Sequence, residues 1–386
     1  MRKIRFALSA MCIVATGVAS SMSATPAFAD VTVGVTLSTT GPSSSLGIPQ
    51  RNSMAMWPKE IAGQPLHVVL LDDASDPTQA NQNARKLVTS DNADIIVGSS
   101  SAPPSLAVAN VANELHVAQI SLSPISMPAG TDHWTFRIAQ PVSLMAQSVA
   151  EHMKKQGYKR IGFIGFSDSY GEDWLKNLQQ SLAGSSTQIV ATERYARADT
   201  SVTAQVLRIV SANPDAVLIA GAGTAAALPQ ITLKERGYRG QIYQTHGAAS
   251  YDTIRVAGKA MEGAILPAGP ALVPEQLPAS ALTKAPGMRY VEWYEGRYGK
   301  NSRTQFGPSA YDALLVLQRI VPVALKQAAP GTPAFRAALR DALESEKEIV
   351  ACHGVFNFTA NDHFGVDKRA RVLLQVVDGQ WKLVEY

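Results

Sequence analysis

The sequence predicts an α/β protein built as two doubly wound parallel-sheet lobes. Three observations carry that prediction. Short apolar runs alternate with helix-like segments along most of the chain, the same rhythm starts afresh after Gln140-Pro141, and several strands end in glycine- and hydroxyl-rich turns. In doubly wound sheets such turns lie at the carboxyl edge, where ligands bind.

Residues 1–29 have a basic start at Arg2, Lys3 and Arg5, a mostly apolar run over 6–18, and Ala27-Phe28-Ala29 before Asp30. These are the parts of a cleavable secretory leader, so the mature chain is expected outside the cytoplasm. The apolar run is too short for an anchor, and no other stretch approaches the ~20 apolar residues of a span. The formal net charge of +4, less the leader's three positive charges, leaves +1, which gives no case for nucleic-acid binding. Cys12 leaves with the leader, and Cys352, the second of two cysteines, is expected as a buried small hydrophobe rather than a reactive thiol.

Val31, Val33, Val35 and Leu37 alternate with Thr32, Gly34 and Thr36, which marks the first strand. The hydroxyl-rich loop 38–47 follows, with Thr40 and Ser45 expected to line a cleft, and leads to a helix over 51–61. A strand over 66–71 closes on Asp72 and Asp73; a helix spans 81–90, and strands fall at 95–97 and 117–122. Between those two strands, Gly98-Ser-Ser-Ser-Ala102 opens a helix at Pro103-Pro104. Three hydroxyls and outward backbone amides at the positive end of a helix dipole make a site for a small anion. No general base stands beside it, so the site suggests holding rather than reacting.

The second unit has helices over 144–156, 172–182, 203–212 and 224–237, and strands over 160–166, 188–193, 216–220 and 241–244. Two such units imply a cleft between them. The Pro- and Gly-rich segment 266–274 reads as a return crossing. Helices near 288–298, 309–327 and 333–343 follow, then short β segments at 355–358, 370–377 and 381–384.

Enzymatic readings find little support. Gly221-Ala-Gly-Thr-Ala-Ala226 has the G-x-G-x-x-A form of a dinucleotide turn, but no acid stands about 20 residues on. Gly165-Phe-Ser-Asp-Ser169 lacks the second glycine of a nucleophile elbow. No spacing proposes a Ser-His-Asp triad, and no zinc, paired-cysteine or phosphate-loop motif occurs. No cofactor, metal or directly bound ATP is therefore expected, and His353 and His363 read as surface residues.

Taken in order, Leu37-Ser-Thr-Thr-Gly-Pro42, Gly98 with its helix through Asn113, Ile120-Ser121 with Ser123-Pro124, Asp168-Ser-Tyr-Gly171 and Ser309-Ala-Tyr-Asp-Ala313 carry a family likeness. The chain resembles the periplasmic leucine/isoleucine/valine-binding protein family, the type I solute-binding proteins of ABC importers, over essentially its whole mature length. The resemblance implies lobes of 30–140 with 268–351 and 141–267 with 352–386, joined by crossings near 140, 267 and 352. It also implies a monomer that closes on a small ligand and is read by ABC permease subunits.

For the site, the resemblance puts Ala102 at the family's ligand-binding serine, with Ser100 and Ser101 just before it. Ser123 or Ser126 takes the second hydroxyl position, Tyr170 the second-lobe loop, and Gly221 a turn beside it. His246 stands where amino-acid binders place an acid. A buried ammonium without a counter-charge costs several kcal/mol, so the expected ligand is a carboxylate lacking one, with an aromatic or branched aliphatic body. His246 would donate to that anion or charge to meet it. Trp57, Phe166, Tyr170 and Tyr311 are candidates for an aromatic wall. An α-amino acid ligand, a sensory role and, further off, an exported nucleotide-dependent enzyme stay open as alternatives.

Overall fold

The computed structural model describes residues 30–386, and the leader expected at 1–29 lies outside the described residues. Two sheets form, each flanked by helices. The first runs in the order Glu60–Ile61, Gln64–Asp72, Val31–Leu37, Ile95–Gly98, Gln119–Ser121, Thr135–Arg137, parallel except for its first hairpin. Strand alternation sorts the side chains to two faces. Val33, Val35, Ile95 and Val97 face the helices Gly307–Ala324 and Pro333–Ser345, while Ile96 faces Pro77–Thr89 and Ala102–Leu115.

The second sheet runs Gln380–Glu385, Val372–Val377, Ile265–Ala268, Gln241–Gln244, Ala216–Ala220, Arg160–Phe166, Gln188–Tyr195. Its first two strands are antiparallel, so this lobe is mixed rather than wholly parallel. The cause is local: Asp378 and Gly379 both take positive φ and make a two-residue turn, which can only reverse the chain. The same device, Ala62-Gly63, folds Glu60–Ile61 back on its neighbour. The helix expected over 51–61 therefore lies earlier, at Ser44–Ser53, inside the hydroxyl-rich segment.

Leu272, Val273, Leu277 and Ala281 stay in the second-lobe core, and the chain rejoins the first lobe at Lys284–Tyr298, where Tyr290 meets Ser53 at 3.0 Å. At the last passage, Val355–Phe356 pairs with Ile349–Val350, and Phe356 and Phe358 fill the first-lobe core. His353 and His363 are both buried here, not at the surface, and Cys352 is buried as expected.

One turn near the cleft explains a sequence motif. Asp168 caps the helix Ser169–Leu182 by accepting from the amides of Tyr170 (2.9 Å) and Gly171 (3.3 Å). Gly171 lies so close to the preceding strand that a Cβ would sit 1.9 Å from the Phe166 carbonyl oxygen. Gly171→Ala should therefore cost about 1–3 kcal/mol through backbone displacement, measurable as a lower urea midpoint.

At the passages, Gln305 donates to Gln140 (2.8 Å) and accepts from the Gly269 amide (2.8 Å), while His353 Nε2 donates to the Gln305 carbonyl (2.8 Å). Asp312 accepts from the amides of Cys352 (2.7 Å) and His353 (2.9 Å), and burial pushes its carboxyl from 3.8 up to about 7. A raised acid favours the fold while protonated: that contribution is full below 3.8 and is lost as pH rises through about 7. Asp312→Asn should accordingly flatten the change of Tm with pH across that window. An unchanged slope in pH-dependent melting would rule Asp312 out as its source.

Candidate functional site

The carboxyl edges of the two sheets meet across a cleft whose walls are in contact. Leu46, Ala102 and Phe306 of the first lobe pack into the core cluster of the second. Ser126 donates across the gap to Asp173 at 2.9 Å, and Ser45 lies against Gly223, where a Cβ would come within 2.2 Å of its Oγ. Between the walls is a cavity of about 30 Å³. That is well below the roughly 150 Å³ that accommodates benzene, so a ring-bearing guest needs the lobes slightly further apart.

The first lobe lines this cavity with Ser100, Ser101, Ala102, Leu122, Ser123, Phe306 and Ser309, among others. The loop carrying the serines is fixed from below. Asp73, fully buried, accepts from the hydroxyls of Ser99, Ser38 (2.7 Å) and Thr36 (3.2 Å), and burial pushes its carboxyl up. Ser100 Oγ accepts from the Ser38 amide at 3.0 Å, which leaves its own hydrogen for the cleft. Ser101 stands at the N-cap of Ala102–Leu115 without making a capping bond.

One expectation about this helix end needs correcting. Pro103 and Pro104 occupy two of its first three positions and carry no N–H, so Ala102 alone in that stretch presents an amide. The hydroxyls, rather than a fan of amides, are the donors here.

The second lobe contributes Tyr170, Arg197, Ala222, His246 and Gly247. Tyr170 Oη donates to Thr245 Oγ1 (3.0 Å) and accepts from the Gly247 amide (3.2 Å), and burial pushes it up to about 12. Its ring, not its hydroxyl, is what it offers the cavity. His246 is buried, with neither ring nitrogen hydrogen-bonded, and burial pulls it down to about 3. The ring therefore stays neutral, which removes the expectation that it charges to meet an anion.

Arg197, which the sequence reading missed, supplies the charge. It follows the strand Gln188–Tyr195, lies over the Phe166 ring at 4.2 Å, and its Nε donates to Asp168 Oδ2 at 2.6 Å. Among the described residues its terminal amino groups have no hydrogen-bond partner, and Arg197 lines the cavity. Among the described residues lining the cavity Arg197 is the only charged side chain, and Asp168 is engaged by it and by two amides. The one signal in the sequence was a cation two residues past a strand of the cleft lobe.

Other expected residues lie elsewhere. Thr40 is exposed and bonded to Asp72, Ser126 and Ser45 sit at the interlobe contact, and Gly221 stands behind Ala222, its carbonyl accepting from Thr245 at 2.7 Å. Of the four aromatic candidates only Tyr170 lines the cavity, joined by Phe306. Trp57 and Tyr311 pack in the first lobe, and Phe166 supports Arg197 from behind. Among the described residues no cluster of ligands for a metal ion occurs, and no helix is long and apolar enough to cross a membrane.

Comparison with known proteins agrees with this architecture. An extracellular ligand-binding receptor from Rhodopseudomonas palustris is 51% identical in sequence, with a TM-score of 0.90 over 92% of this chain and 99% of its own. A second receptor, from strain HaA2 of that organism, is 50% identical with a TM-score of 0.91 over 92% of this chain and all of its own. Leu/Ile/Val-binding protein homolog 1 of Brucella suis is 24% identical over 63% of this chain and 68% of its own. The isoleucine complex of LivJ, a branched-chain amino acid transporter binding protein from Streptococcus pneumoniae, shares the fold at 17% identity, with a TM-score of 0.75 over 93% of this chain and all of its own. A family model described as periplasmic binding protein matches residues 30–380. With two hinged α/β lobes, a cleft built for holding and these relatives, the chain belongs to the periplasmic binding protein family and is a ligand-binding receptor, not an enzyme.

Proposed function

We propose that the cleft captures a small organic carboxylate bearing no ammonium group, with an aromatic or branched aliphatic body, for delivery to ABC permease subunits at the membrane. The observation that carries this is the charge pattern of the lining: one arginine, several serine hydroxyls, and no acid among the described residues. The carboxylate docks on the hydroxyls of Ser100, Ser101 and Ser123 in the open cleft. Closure then brings Arg197 against it from the second lobe. Contacts made only in the closed form favour that form, and a ~100-fold preference supplies ~2.7 kcal/mol. A periplasmic site of action fits the leader-like start, and a single chain completes the cleft, which supports action as a monomer.

The names of the Brucella relatives raise the second reading, an α-amino acid. Its ammonium would enter a lining that holds Arg197 and no counter-charge, at a cost of several kcal/mol. Leucine and 4-methylpentanoate, identical but for that ammonium, separate the two readings. Calorimetric titration should show the deaminated acid binding at least a hundredfold tighter. Leucine binding as well as or better than 4-methylpentanoate would reject the proposal.

A further inference from the structure

His246 is 3% exposed, lines the cavity, and has both ring nitrogens without a hydrogen-bond partner. Its ring is held between Tyr170, edge-on at 5.9 Å, and Trp174, tilted at 5.7 Å. Tyr170's hydroxyl, the polar group nearest at hand, is already engaged with Thr245 and Gly247. The neighbouring hinge histidine, His353, keeps its Nε2 on the Gln305 carbonyl. No protein group hydrogen-bonds to the ring; Trp174 Nε1 and His353 Nδ1 are buried and unpartnered as well, and neither reaches it, so the cavity that His246 lines is where a partner can enter.

Buried polar atoms in folded proteins are nearly always paired, and leaving one bare is costly. A neutral imidazole presents one N–H donor and one bare nitrogen that accepts. The ring is neutral here because burial opposes its charged form. An ionised carboxylate can take the N–H but has no hydrogen for the bare nitrogen. An ammonium could donate, yet it brings a charge that nothing in the lining balances and that Arg197 opposes. A second carboxylate would again take the N–H and leave the bare nitrogen without a donor. A hydroxyl donates without charge.

Building on the carboxylate reading above, we infer that His246 is the specificity residue of the cleft and that it selects monocarboxylates carrying a hydroxyl group. The carboxylate belongs to Arg197 and the serines, and the hydroxyl to the bare nitrogen of His246. Trp174 and Tyr170 fix the ring plane and so the direction in which that hydroxyl must lie.

The test is calorimetric titration of two matched sets: benzoate with its 3- and 4-hydroxy derivatives, and 4-methylpentanoate with its 2- and 4-hydroxy derivatives. In the wild-type protein at least one hydroxy acid should bind roughly tenfold tighter than its parent. In His246→Phe, which keeps a ring without donor or acceptor, the ratio of hydroxy-acid to parent affinity should fall to about one. Melting curves report whether the variant is folded, and the wild-type comparison stands without it. Parent acids that bind with no hydroxyl derivative gaining would overturn this inference and leave the carboxylate reading intact. Failure of every acid to bind would overturn both, and an advantage that survives in the variant would remove His246 from the role.

Discussion

Arg197→Met should weaken capture of a carboxylate at least a hundredfold while the protein remains folded. Both partners of its ion pair are largely withdrawn from water, with side chains 15% and 21% exposed for Arg197 and Asp168. Removing one member of a buried pair typically costs about 3–5 kcal/mol, and a hundredfold in Kd corresponds to about 2.7 kcal/mol. Here the loss would fall on binding, because Asp168 keeps its two amide donors and its capping role, whereas the ligand loses its only cation. Arg197→Lys should recover part of the affinity, since a point charge cannot serve Asp168 and a ligand with one planar fork. Titration of both variants against 4-methylpentanoate checks this, and an unchanged Kd in Arg197→Met would remove Arg197 from the site.

Tyr170→Ala should weaken binding well beyond tenfold and also lower Tm. The ring is 5% exposed, forms one wall of the cavity and stacks edge-on to His246, so truncation removes ligand contact and leaves space behind. Large aromatic truncations in cores cost about 3–5 kcal/mol. Tyr170→Phe separates the two roles. It keeps the wall but leaves Thr245 and the Gly247 amide short of a partner, at about 1–3 kcal/mol of stability. Affinity within a fewfold of wild type is therefore expected for Tyr170→Phe, alongside a clear loss of melting temperature.

The fold was legible because the parallel strands are buried on both faces, and Val31 to Leu37 and Ile95 to Val97 carry that pattern openly. What escaped depended on single turns. Asp378-Gly379 sets two strands antiparallel, and Ala62-Gly63 converts residues 60–61 from helix to edge strand, both through positive φ that hydrophobic periodicity does not register. Phe356 and Phe358 look in sequence like any apolar pair, and only packing shows which lobe they fill.

The site divided along similar lines. Ser100, Ser101, Ala102, Ser123, Tyr170 and His246 sit next to strand ends that the pattern identified, and the cavity collects them. Arg197, Phe306 and Ser309 come from a loop beyond an edge strand and from the segment that returns from the second lobe, positions that only the folded chain relates to the cleft. Thr40 and Gly221 lay close in sequence but were drawn off by Asp72 and Thr245.

Gly223, at φ +60, lies pressed against Ser45 and Leu46 where the two jaws meet. A methyl group there would come 2.2 Å from one hydroxyl and 2.8 Å from one leucine carbon, so both side chains would have to swing aside, and the backbone would be held where an L residue is strained. A complete bite therefore depends on there being almost nothing at this point of the seam.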